Sequence, residues 1–253
     1  MTQPSASAGQ PVWILGATSG MARGCAIELA KRGHPLYLSG RDDEELRRLA
    51  LDLSVRYGVT VHHGEFDIEE IDSHADALKQ VIETCGGLYG VVFAIGYLGD
   101  HLKAREEWRE ANAIIVRNFT GAVSVLGLAA NHLEKQADGF IIGVTSVAAD
   151  RGRQSNYPYG APKAGLSAWL AGLRNRLAPT GVRVIEIKPG YVDTAMTYGL
   201  PGLFLVADPN DVGRDIVRAL DKSRDVLYLP GFWRLIMLII RSVPEPIFKK
   251  MKL

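Results

Sequence analysis

The stretch that decides the fold lies near the start of the chain and reads Val12-Trp13-Ile14-Leu15-Gly16-Ala17-Thr18-Ser19-Gly20-Met21-Ala22. Its four leading apolar residues predict a buried β-strand over residues 12–15. Residues 16–20 form a glycine-containing turn, and the apolar periodicity beyond them predicts a helix over residues 21–32. A strand, a tight turn and a helix in direct succession indicate the first half of a βαβ unit.

The same order of strand, turn and amphipathic helix continues along the chain. Strands are predicted over residues 12–15, 35–39, 59–62, 90–94, 140–144, 182–187 and 226–228. Helices are predicted over residues 21–32, 42–57, 73–84, 107–131, 159–177 and 211–222. Because strands that alternate with helices need crossover connections, they run parallel. The sequence therefore predicts an α/β fold, a single doubly wound Rossmann domain with a central parallel sheet and helices on both faces.

The two ends of the chain depart from this pattern. Residues 1–10 are small and polar, which predicts a disordered leader rather than a signal peptide. Residues 11–231 carry the alternating elements, and residues 232–253 form an apolar and basic C-terminal segment of the same domain. The longest apolar run in that segment, residues 235–240, is too short to span a bilayer.

Composition excludes several functional classes. The 253 residues carry a formal net charge of +1, so no global positive field attracts nucleic acid. Cys25 and Cys85 have neither CxxC nor metal-ligand spacing, so we expect reduced thiols and no metal site. Together these features predict a cytoplasmic protein.

The glycine turn predicts a nucleotide site. Gly16 permits a tight turn, Gly20 allows a phosphate to approach the backbone, and Ala22 lets the helix pack on the strand. The helix N-terminus offers free N–H groups to a pyrophosphate, and the turn residues Thr18, Ser19 and Met21 are expected to contact it as well. A glycine turn is also ordinary turn chemistry, but its position at the first strand-to-helix junction favours binding of a dinucleotide.

The end of the second strand indicates which dinucleotide is bound. It reads Ser39-Gly40-Arg41, so a guanidinium follows the strand where an acid would otherwise bind a ribose hydroxyl. This favours NADP(H) over NAD(H), with Arg41 on the 2′-phosphate. The alternatives are that Arg41 only faces solvent and that Asp42 serves a ribose. Asp67 and Ile68 are positioned to contact the adenine, although Asp67 can equally cap the next helix.

A second group of polar residues predicts proton-transfer chemistry. Tyr159 and Lys163 are four residues apart on a predicted helix, so they share one face. An ammonium beside a phenol is expected to lower the phenol pKa toward neutrality, which suits general acid–base work. Ser146 ends the preceding strand and can bind the substrate oxygen. The alternative is that Tyr159 and Lys163 are surface neighbours and that Ser146 caps a turn.

These motifs, in this order, resemble the short-chain dehydrogenase/reductase family over residues 12–228. The resemblance rests on the glycine turn, Ala94-Ile95-Gly96, Asn118-Phe119-Thr120-Gly121, Ser146, the Tyr159 and Lys163 pair, and Lys188-Pro189-Gly190. It departs from the family pattern in two places. The usual Asn-Asn-Ala-Gly stands as Val92-Phe93-Ala94-Ile95-Gly96, and Ala22 replaces the third glycine of the turn.

The resemblance implies roles for further residues. Asn118 would complete a catalytic tetrad with Ser146, Tyr159 and Lys163 by holding a water that relays protons. The remaining residues expected to border the cofactor, in addition to Tyr159 and Lys163, are Ala94, Gly96, Pro189, Gly190, Val192 and Thr194. The implied activity is hydride transfer between a nicotinamide cofactor and a carbonyl or secondary alcohol, with a homodimer or homotetramer as the assembly. A catalytically silent dinucleotide sensor or partner-binding scaffold on the same fold is the alternative.

The region beyond residue 194 indicates the substrate class. The apolar stretch over residues 194–207 corresponds to the family's mobile flap, which favours a hydrophobic or lipid-linked carbonyl substrate; the alternative is a flap packed on its own core. Residues 98–100, residues 149–153 and the C-terminal tail resemble the subgroup that contains decaprenylphosphoryl-2-keto-ribose reductase. By that resemblance, Arg151 and Arg153 would hold a substrate phosphate, and otherwise they form surface salt bridges.

The C-terminal segment, residues 232–253, allows two further interpretations. Its apolar run with arginines and a lysine-rich tail is typical of an interfacial anchor on anionic lipid, which predicts peripheral contact with the inner face of a membrane. Such a protein could work beside an oxidase in a two-step epimerisation. A dimer contact or a strap across the core explains the same residues equally well.

Overall fold

The computed structural model describes residues 9–200 and 202–251. Of the predicted disordered leader over residues 1–10, all but the last two residues lie outside the described part of the chain.

Seven parallel strands form one sheet at the centre of the molecule. They are β1 Val12–Leu15, β2 Leu36–Gly40, β3 Val61–Glu65, β4 Gly90–Phe93, β5 Phe140–Val144, β6 Arg183–Pro189 and β7 Val226–Leu229. Their spatial order is β3-β2-β1-β4-β5-β6-β7, so the chain winds outward from β1 in one direction and from β4 in the other. The gap between β1 and β4 is the switch point at which sheets of this type bind ligands.

Ten α-helices surround the sheet in the described residues. They are α1 Gly20–Lys31, α2 Asp43–Tyr57, α3 His74–Cys85, α4 Lys103–Glu106, α5 Trp108–Ile115, α6 Gly121–Gln136, α7 Tyr157–Leu177, α8 Pro209–Arg218, α9 Trp233–Ser242 and α10 Glu245–Phe248. The buried residues fall into two main clusters on opposite faces of the sheet. One is built with α1, α2 and α8, and the other with α3, α6 and α7. The predicted doubly wound α/β fold is confirmed.

Strand β1 explains why both faces are covered. Its side chains alternate in direction, so Val12 and Ile14 join one cluster while Trp13 and Leu15 join the other. All four are fully buried. A strand that is apolar at every position is therefore stable only in the middle of a sheet that has helices on both sides.

A glycine contact sets how closely α8 approaches α1. A β-carbon on Gly213 would lie 2.6 Å from the Cα of Gly24. At the start of the same helices, a β-carbon on Gly20 would lie 2.9 Å from the Pro209 side chain. The first turn of α1 is thereby held against α8, which supports the glycine turn from outside the sheet.

The structure differs from the predicted elements in three places. The third strand begins and ends later than predicted, because β3 pairs with β2 through Val61 and continues through polar residues at the sheet edge. The predicted helix over residues 107–131 is part of a continuous helical stretch, Trp108–Gln136, with a π-helical turn at Val116–Thr120. By length and composition this stretch could cross a membrane, but α6 packs into the core. Finally, no helix was predicted where α9 and the short helices α4 and α10 form.

Candidate active site

The glycine turn has the geometry expected of a phosphate-binding turn. Gly16 has a φ of +82°, and a β-carbon there would lie 3.1 Å from the Ile95 amide nitrogen. The amides of Gly16 and Ala17 donate to the Ser39 carbonyl at 2.8 and 3.0 Å. These bonds fasten the turn to β2 and leave the start of α1 facing outward. Only glycine fits this backbone without strain and collision.

A cleft of about 390 Å³ opens at the switch point between β1 and β4. Eleven of the sixteen predicted cofactor contacts line it: Gly16, Thr18, Ser19, Gly20, Met21, Arg41, Asp67, Ile68, Ala94, Gly96 and Thr194. The start of a helix, a guanidinium and a carboxylate are donors and acceptors that suit a dinucleotide's pyrophosphate, ribose and adenine. The residues present therefore fit an NAD(P) cofactor.

The ribose end of the cleft distinguishes Arg41 from Asp42. Arg41 is exposed and lines the cleft. Asp42 caps α2, accepting from the Glu45 amide at 3.0 Å, and does not line the cleft. Ser39 accepts from the Trp13 indole at 2.9 Å and is buried. Of the two charged residues at this strand end, Arg41 therefore lines the cleft and Asp42 does not.

Asp67 has a local partner as well as a place in the cleft. Its Oδ1 accepts from the Glu69 amide at 3.0 Å, as expected for a residue that begins a turn. The next helical elements begin at Ile71 and His74 without a side-chain cap from Asp67, so the helix-cap alternative is wrong. Asp67 lines the cleft, and its contact with the adenine stays a prediction.

Beside the cleft, Tyr159 and Lys163 lie on one face of α7, as their spacing predicted. The Lys163 Nζ is 5.8 Å from the centroid of the Tyr159 ring. It donates to the Val144 carbonyl at 3.2 Å and to the Ile95 carbonyl at 3.5 Å, so the ammonium bridges β5 and the segment after β4. Ser146 follows β5 and is buried, and its Oγ accepts from the Ala148 amide at 3.1 Å, so it caps the turn there as its alternative interpretation predicted. It also lies close enough to Tyr159 to lower the pKa of the phenol.

The pKa shifts of this pair run opposite to the expectation for the phenol. Burial raises the pKa of Tyr159 to about 12, and the hydrogen bond with Ser146 offsets part of that rise. Burial lowers the pKa of Lys163 to about 7. The expected lowering of the phenol pKa by the ammonium is therefore wrong for this structure. Lys163 is buried and Tyr159 is partly buried, and the loss of water disfavours the charged form of each.

Asn118 lies in the π-helical turn and is fully buried. Its Nδ2 donates to the carbonyls of Tyr97 at 2.6 Å and Ile114 at 2.8 Å, and its Oδ1 accepts from the Tyr97 amide at 3.1 Å. A β-carbon on Gly96 would lie 3.5 Å from both the Asn118 Oδ1 and the Lys163 Nζ. The π-helical turn thus places the Asn118 side chain next to Gly96, the same glycine that Lys163 approaches from α7. Turns of this type are frequent at functional sites.

The predicted cofactor contacts at the end of β6 and beyond it differ in whether they line the cleft. Thr194 lines the cleft, whereas Pro189, Gly190 and Val192 do not. Val192 is buried in the core and forms an isolated bridge with Ala207. Gly190 lies under the Trp233 indole, whose Nε1 would be 1.9 Å from a β-carbon at that position. Only small backbone surfaces of this segment remain for a ligand.

Seven residues that line the cleft are absent from the predicted cofactor contacts: Gly40, Phe66, Ile95, Tyr97, Arg117, Ala195 and Met196. Arg117 stacks over the Tyr97 ring, with its Cζ 4.4 Å from the centroid, and its Nε donates to Glu69 at 2.7 Å. Met196 of the flap approaches Gly96, with its Cε 3.3 Å from the position of a β-carbon. Tyr97 follows Ala94-Ile95-Gly96 and Arg117 precedes Asn118, so adjacency to a motif was the available signal.

Arg151 does not have the role expected from the subgroup resemblance. Its Nη1 donates to the carbonyls of Ile240 at 2.8 Å and Val243 at 2.6 Å, and its Nη2 pairs with Glu245 at 2.9 Å. Its Cζ also lies 3.6 Å from the centroid of the Phe248 ring. Every one of these contacts is to the C-terminal segment. Arg151 is a tether for that segment: its salt bridge with Glu245 agrees with the alternative predicted for it, and its guanidinium is engaged away from any phosphate.

Arg153 differs from Arg151. Its Nε is buried without a hydrogen-bond partner among the described residues. Burial lowers the pKa of Arg153, and the nearby Tyr191 and Asp150 partly offset that effect. A buried guanidinium nitrogen without a partner is costly unless water or a ligand satisfies it.

An aromatic cluster connects the flap to α9. Trp233 is buried, and its ring centroid lies 5.7 Å from that of Tyr191 and 5.6 Å from that of Phe204 in the flap. Val147, one residue after Ser146, packs in the same cluster. The inner face of α9 therefore packs against the rest of the domain, which agrees with the interpretation of the C-terminal segment as a strap.

A buried polar network lies behind Ser146. The Lys188 Nζ donates to one oxygen of Asp150 at 2.6 Å, and the Tyr228 hydroxyl donates to the other at 2.7 Å. Burial and the Asp150 carboxylate together raise the pKa of Tyr228. This network ties β6 and β7 to the segment that follows Ser146.

Comparisons with known proteins agree with this geometry. The family model for short chain dehydrogenases matches residues 10–201. An uncharacterized oxidoreductase of Mycobacterium tuberculosis is 31% identical over 95% of this chain and 96% of its own length.

Solved structures share the fold. An actinorhodin polyketide ketoreductase determined with NADPH superposes with a TM-score of 0.79 at 21% identity, covering 88% of this chain and 97% of that one. An alcohol dehydrogenase from the archaeon Thermococcus sibiricus, complexed with 5-hydroxy-NADP, gives 0.78 at 23% identity, covering 93% and 99%. With the family model spanning most of the sequence, the chain belongs to the short-chain dehydrogenase family and is an NAD(P)-dependent oxidoreductase.

Proposed function

We propose that this protein reduces a carbonyl group, or oxidises the corresponding alcohol, with Ser146, Tyr159 and Lys163 as catalytic residues. The observation that carries the proposal is their arrangement beside the cofactor cleft. The Lys163 Nζ lies 5.8 Å from the Tyr159 ring centroid, and the buried Ser146 lies close enough to Tyr159 to lower the pKa of its phenol. A proton donor, an oxygen-binding hydroxyl and a cation then act on one substrate oxygen.

In this proposal, bound NADPH supplies the hydride that adds to the carbonyl carbon. The Tyr159 hydroxyl gives its proton to the substrate oxygen, while the Ser146 hydroxyl donates a hydrogen bond to the same oxygen. A pKa of about 12 keeps Tyr159 protonated at neutral pH. Tyr159 therefore holds the proton that carbonyl reduction consumes.

Asn118 has a positioning role in the proposal. Asn118 Oδ1 and Lys163 Nζ lie at equal distances of 3.5 Å from the β-carbon position of Gly96. One water can connect the two groups, so Asn118 would anchor a relay that returns protons to Lys163 and Tyr159. The π-helical turn supports this role, since it directs Asn118 into the site.

We propose NADP(H) as the preferred cofactor. Arg41 lines the cleft and is exposed, while the neighbouring Asp42 is engaged as the cap of α2. A guanidinium binds a 2′-phosphate with charge-assisted hydrogen bonds, whereas a free carboxylate there would repel it. We assign the nicotinamide end to Thr194, which lines the cleft; Pro189, Gly190 and Val192 lie outside the cleft lining, and their predicted cofactor contacts stay predictions.

The substrate is proposed to be amphiphilic. The flap presents exposed apolar side chains near the site, including Met196, Leu200 and Phe204. Arg153 has a buried nitrogen without a protein partner and is the cation left to bind an anionic group, now that Arg151 is engaged elsewhere. A polyprenyl-phosphate-linked sugar combines both features and is the first compound to test.

A cytoplasmic homodimer or homotetramer is the proposed assembly. The helices that carry Asn118 and Tyr159 expose large aromatic side chains, Trp108 and Tyr157, at their N-terminal ends. Burial of such side chains favours association. Light scattering coupled to size-exclusion chromatography measures the number of subunits.

The decisive experiment follows NADPH and NADH oxidation by absorbance, with soluble hydrophobic ketones and a polyprenyl-phosphoryl 2-keto-pentose as substrates. Replacing Tyr159 by Phe removes only the phenolic proton donor, so kcat should fall about a thousandfold. Tyr157→Phe is the matched control, because Tyr157 is an exposed tyrosine on the same helix and should keep full activity. Full turnover by Tyr159→Phe would overturn the assignment.

A further inference from the structure

Helix α9 is apolar on both of its faces, but only one face has a partner in the described structure. Trp233 and Met237 point inward and are buried. On the outer face, Leu235, Leu238 and Ile239 are 63%, 60% and 61% exposed. A short helix that already has a buried face does not need these outer residues for folding. They indicate that something else covers this side.

The outer face of α9 continues into neighbouring segments. Phe204 of the flap packs on Trp233, and Leu205 and Val206, which follow it, are exposed. Phe232 before α9 and Ile247 after it are exposed as well. We define the C-terminal apolar surface as Phe204, Leu205, Val206, Phe232, Leu235, Leu238, Ile239 and Ile247. Flap and helix are joined through Trp233, which contacts both Phe204 and Phe232.

Positive charges accompany this surface. Arg234, Arg241, Lys249 and Lys250 are all exposed. The acidic residue of residues 232–251 is Glu245, and it pairs with Arg151 at 2.9 Å. The helical part of the apolar surface, residues 232–251, thus carries four exposed cations, and its one carboxylate already pairs with Arg151. Next to the flap part, Asp208 is exposed and caps α8.

This charge pattern distinguishes between the two candidate occupants. In a symmetric dimer, each copy presents the same surface to the other, so the four cations of one copy would approach those of its partner. Like charges brought together without compensating acids oppose such a contact. An anionic lipid surface, in contrast, accepts apolar side chains and attracts the surrounding cations.

We propose that the C-terminal apolar surface docks on an anionic lipid bilayer. The docking surface is joined directly to the catalytic region, because Trp233 packs over Gly190 and Arg151 ties the C-terminal segment to the chain just after Ser146. The flap, which contributes Phe204 to the surface, also reaches Gly96 through Met196. Docking therefore brings the mouth of the site to the lipid, where an apolar substrate is concentrated.

The experiment is co-sedimentation of the full chain with vesicles of phosphatidylglycerol or of phosphatidylcholine. We expect binding to phosphatidylglycerol that is at least about tenfold stronger than to phosphatidylcholine and that weakens with added salt. The double variant Leu238→Ser/Ile239→Ser should reduce binding at least about tenfold, and so should Arg241→Glu/Lys249→Glu.

Leu51→Ser/Val55→Ser is the matched control, since these residues on α2 are 61% and 78% exposed but lie outside the C-terminal apolar surface. It should bind vesicles like the unmodified protein. Equal binding by Leu238→Ser/Ile239→Ser, or equal affinity for the two lipids, would overturn the proposal. A dimer that this variant dissociates would assign the surface to a second copy instead.

The docking proposal is separable from the proposed reaction. Turnover of a soluble ketone without vesicles should be unchanged in Leu238→Ser/Ile239→Ser, because neither residue is placed in the catalytic machinery. Loss of vesicle binding with unchanged turnover supports docking. Absence of turnover in the unmodified protein would instead contradict the proposed function and leave the vesicle result valid.

Discussion

The cofactor side and the C-terminal side of the site are held together by different forces. On the cofactor side, backbones touch directly: Gly16 lies against the segment after β4, and Gly24 lies against Gly213. On the C-terminal side, long side chains make the contacts, through the Trp233 cluster and the Arg151 tether. Backbone contacts tolerate almost no change, whereas side-chain contacts can be exchanged. The difference explains how one scaffold keeps its cofactor geometry while the substrate side varies.

The largest expected effect tests the backbone contact. Gly213→Ala places a β-carbon 2.6 Å from the Gly24 Cα, and α8 can relieve this collision only by moving as a whole. We expect the free energy of unfolding to fall by about 2–4 kcal/mol. Urea denaturation measures it. Gly172→Ala on α7 meets nothing within 4 Å and should instead stabilise the protein by about 0.5–1 kcal/mol. Equal effects of the two substitutions would contradict the close-contact interpretation.

The next prediction tests the tether. Arg151→Lys keeps the charge but loses the planar fork that reaches two carbonyls and Glu245. Local stability of the C-terminal segment should fall by about 2 kcal/mol, because charge-assisted hydrogen bonds are lost. Hydrogen exchange over residues 233–248 should accelerate about thirtyfold, while exchange in β1 stays unchanged. Uniform acceleration across the sheet would mean that the tether stabilises the whole fold.

The pH dependence of stability tests the region where the two sides meet. Lys163 has a pKa of about 7 in the folded protein and its ordinary, higher pKa in the unfolded chain. Between these values the unfolded state binds more protons, so stability should rise with pH above 7. The rise should amount to about 2 kcal/mol between pH 7 and 9.

Lys163→Met should abolish this rise, which urea midpoints at the two pH values would record. Tyr159 contributes the opposite slope, but only above pH 10, because its folded pKa of about 12 lies above its ordinary value. An unchanged slope in Lys163→Met would show that the ammonium is not buried in solution.

The smallest expected effect concerns cofactor choice. Arg41→Ala should weaken NADPH binding about tenfold, or about 1.4 kcal/mol, and leave NADH nearly unaffected. KM values for both cofactors measure the change. Arg47→Ala is the matched control, since Arg47 is an exposed arginine on α2 outside the cleft. Equal losses for NADPH and NADH in Arg41→Ala would contradict a contact with the 2′-phosphate.

Most of the fold and of the cofactor side could be predicted from sequence, because both depend on local patterns. Continuous apolar runs predict buried strands, and the glycine positions predict where backbones approach. The neighbours of those motifs were not predicted: Tyr97 and Arg117 enter the cleft through tertiary packing. For Arg151 the sequence left phosphate binding and a salt bridge open, and it could not identify the partners, which lie about ninety residues away. The phenol pKa was also predicted wrongly, because desolvation depends on burial that sequence spacing does not contain.

The contact between Gly190 and Trp233 has an evolutionary consequence. The indole occupies the space that any side chain at position 190 would need. The two positions therefore have to change together: a lineage that enlarges residue 190 must first accept a smaller residue at 233. Such a replacement would also remove the packing partner of Phe204 and loosen the flap. This contact therefore restricts the order in which mutations at positions 190 and 233 can arise. Because Trp233 also holds the flap, the same restriction limits which substrates related proteins can evolve to accept.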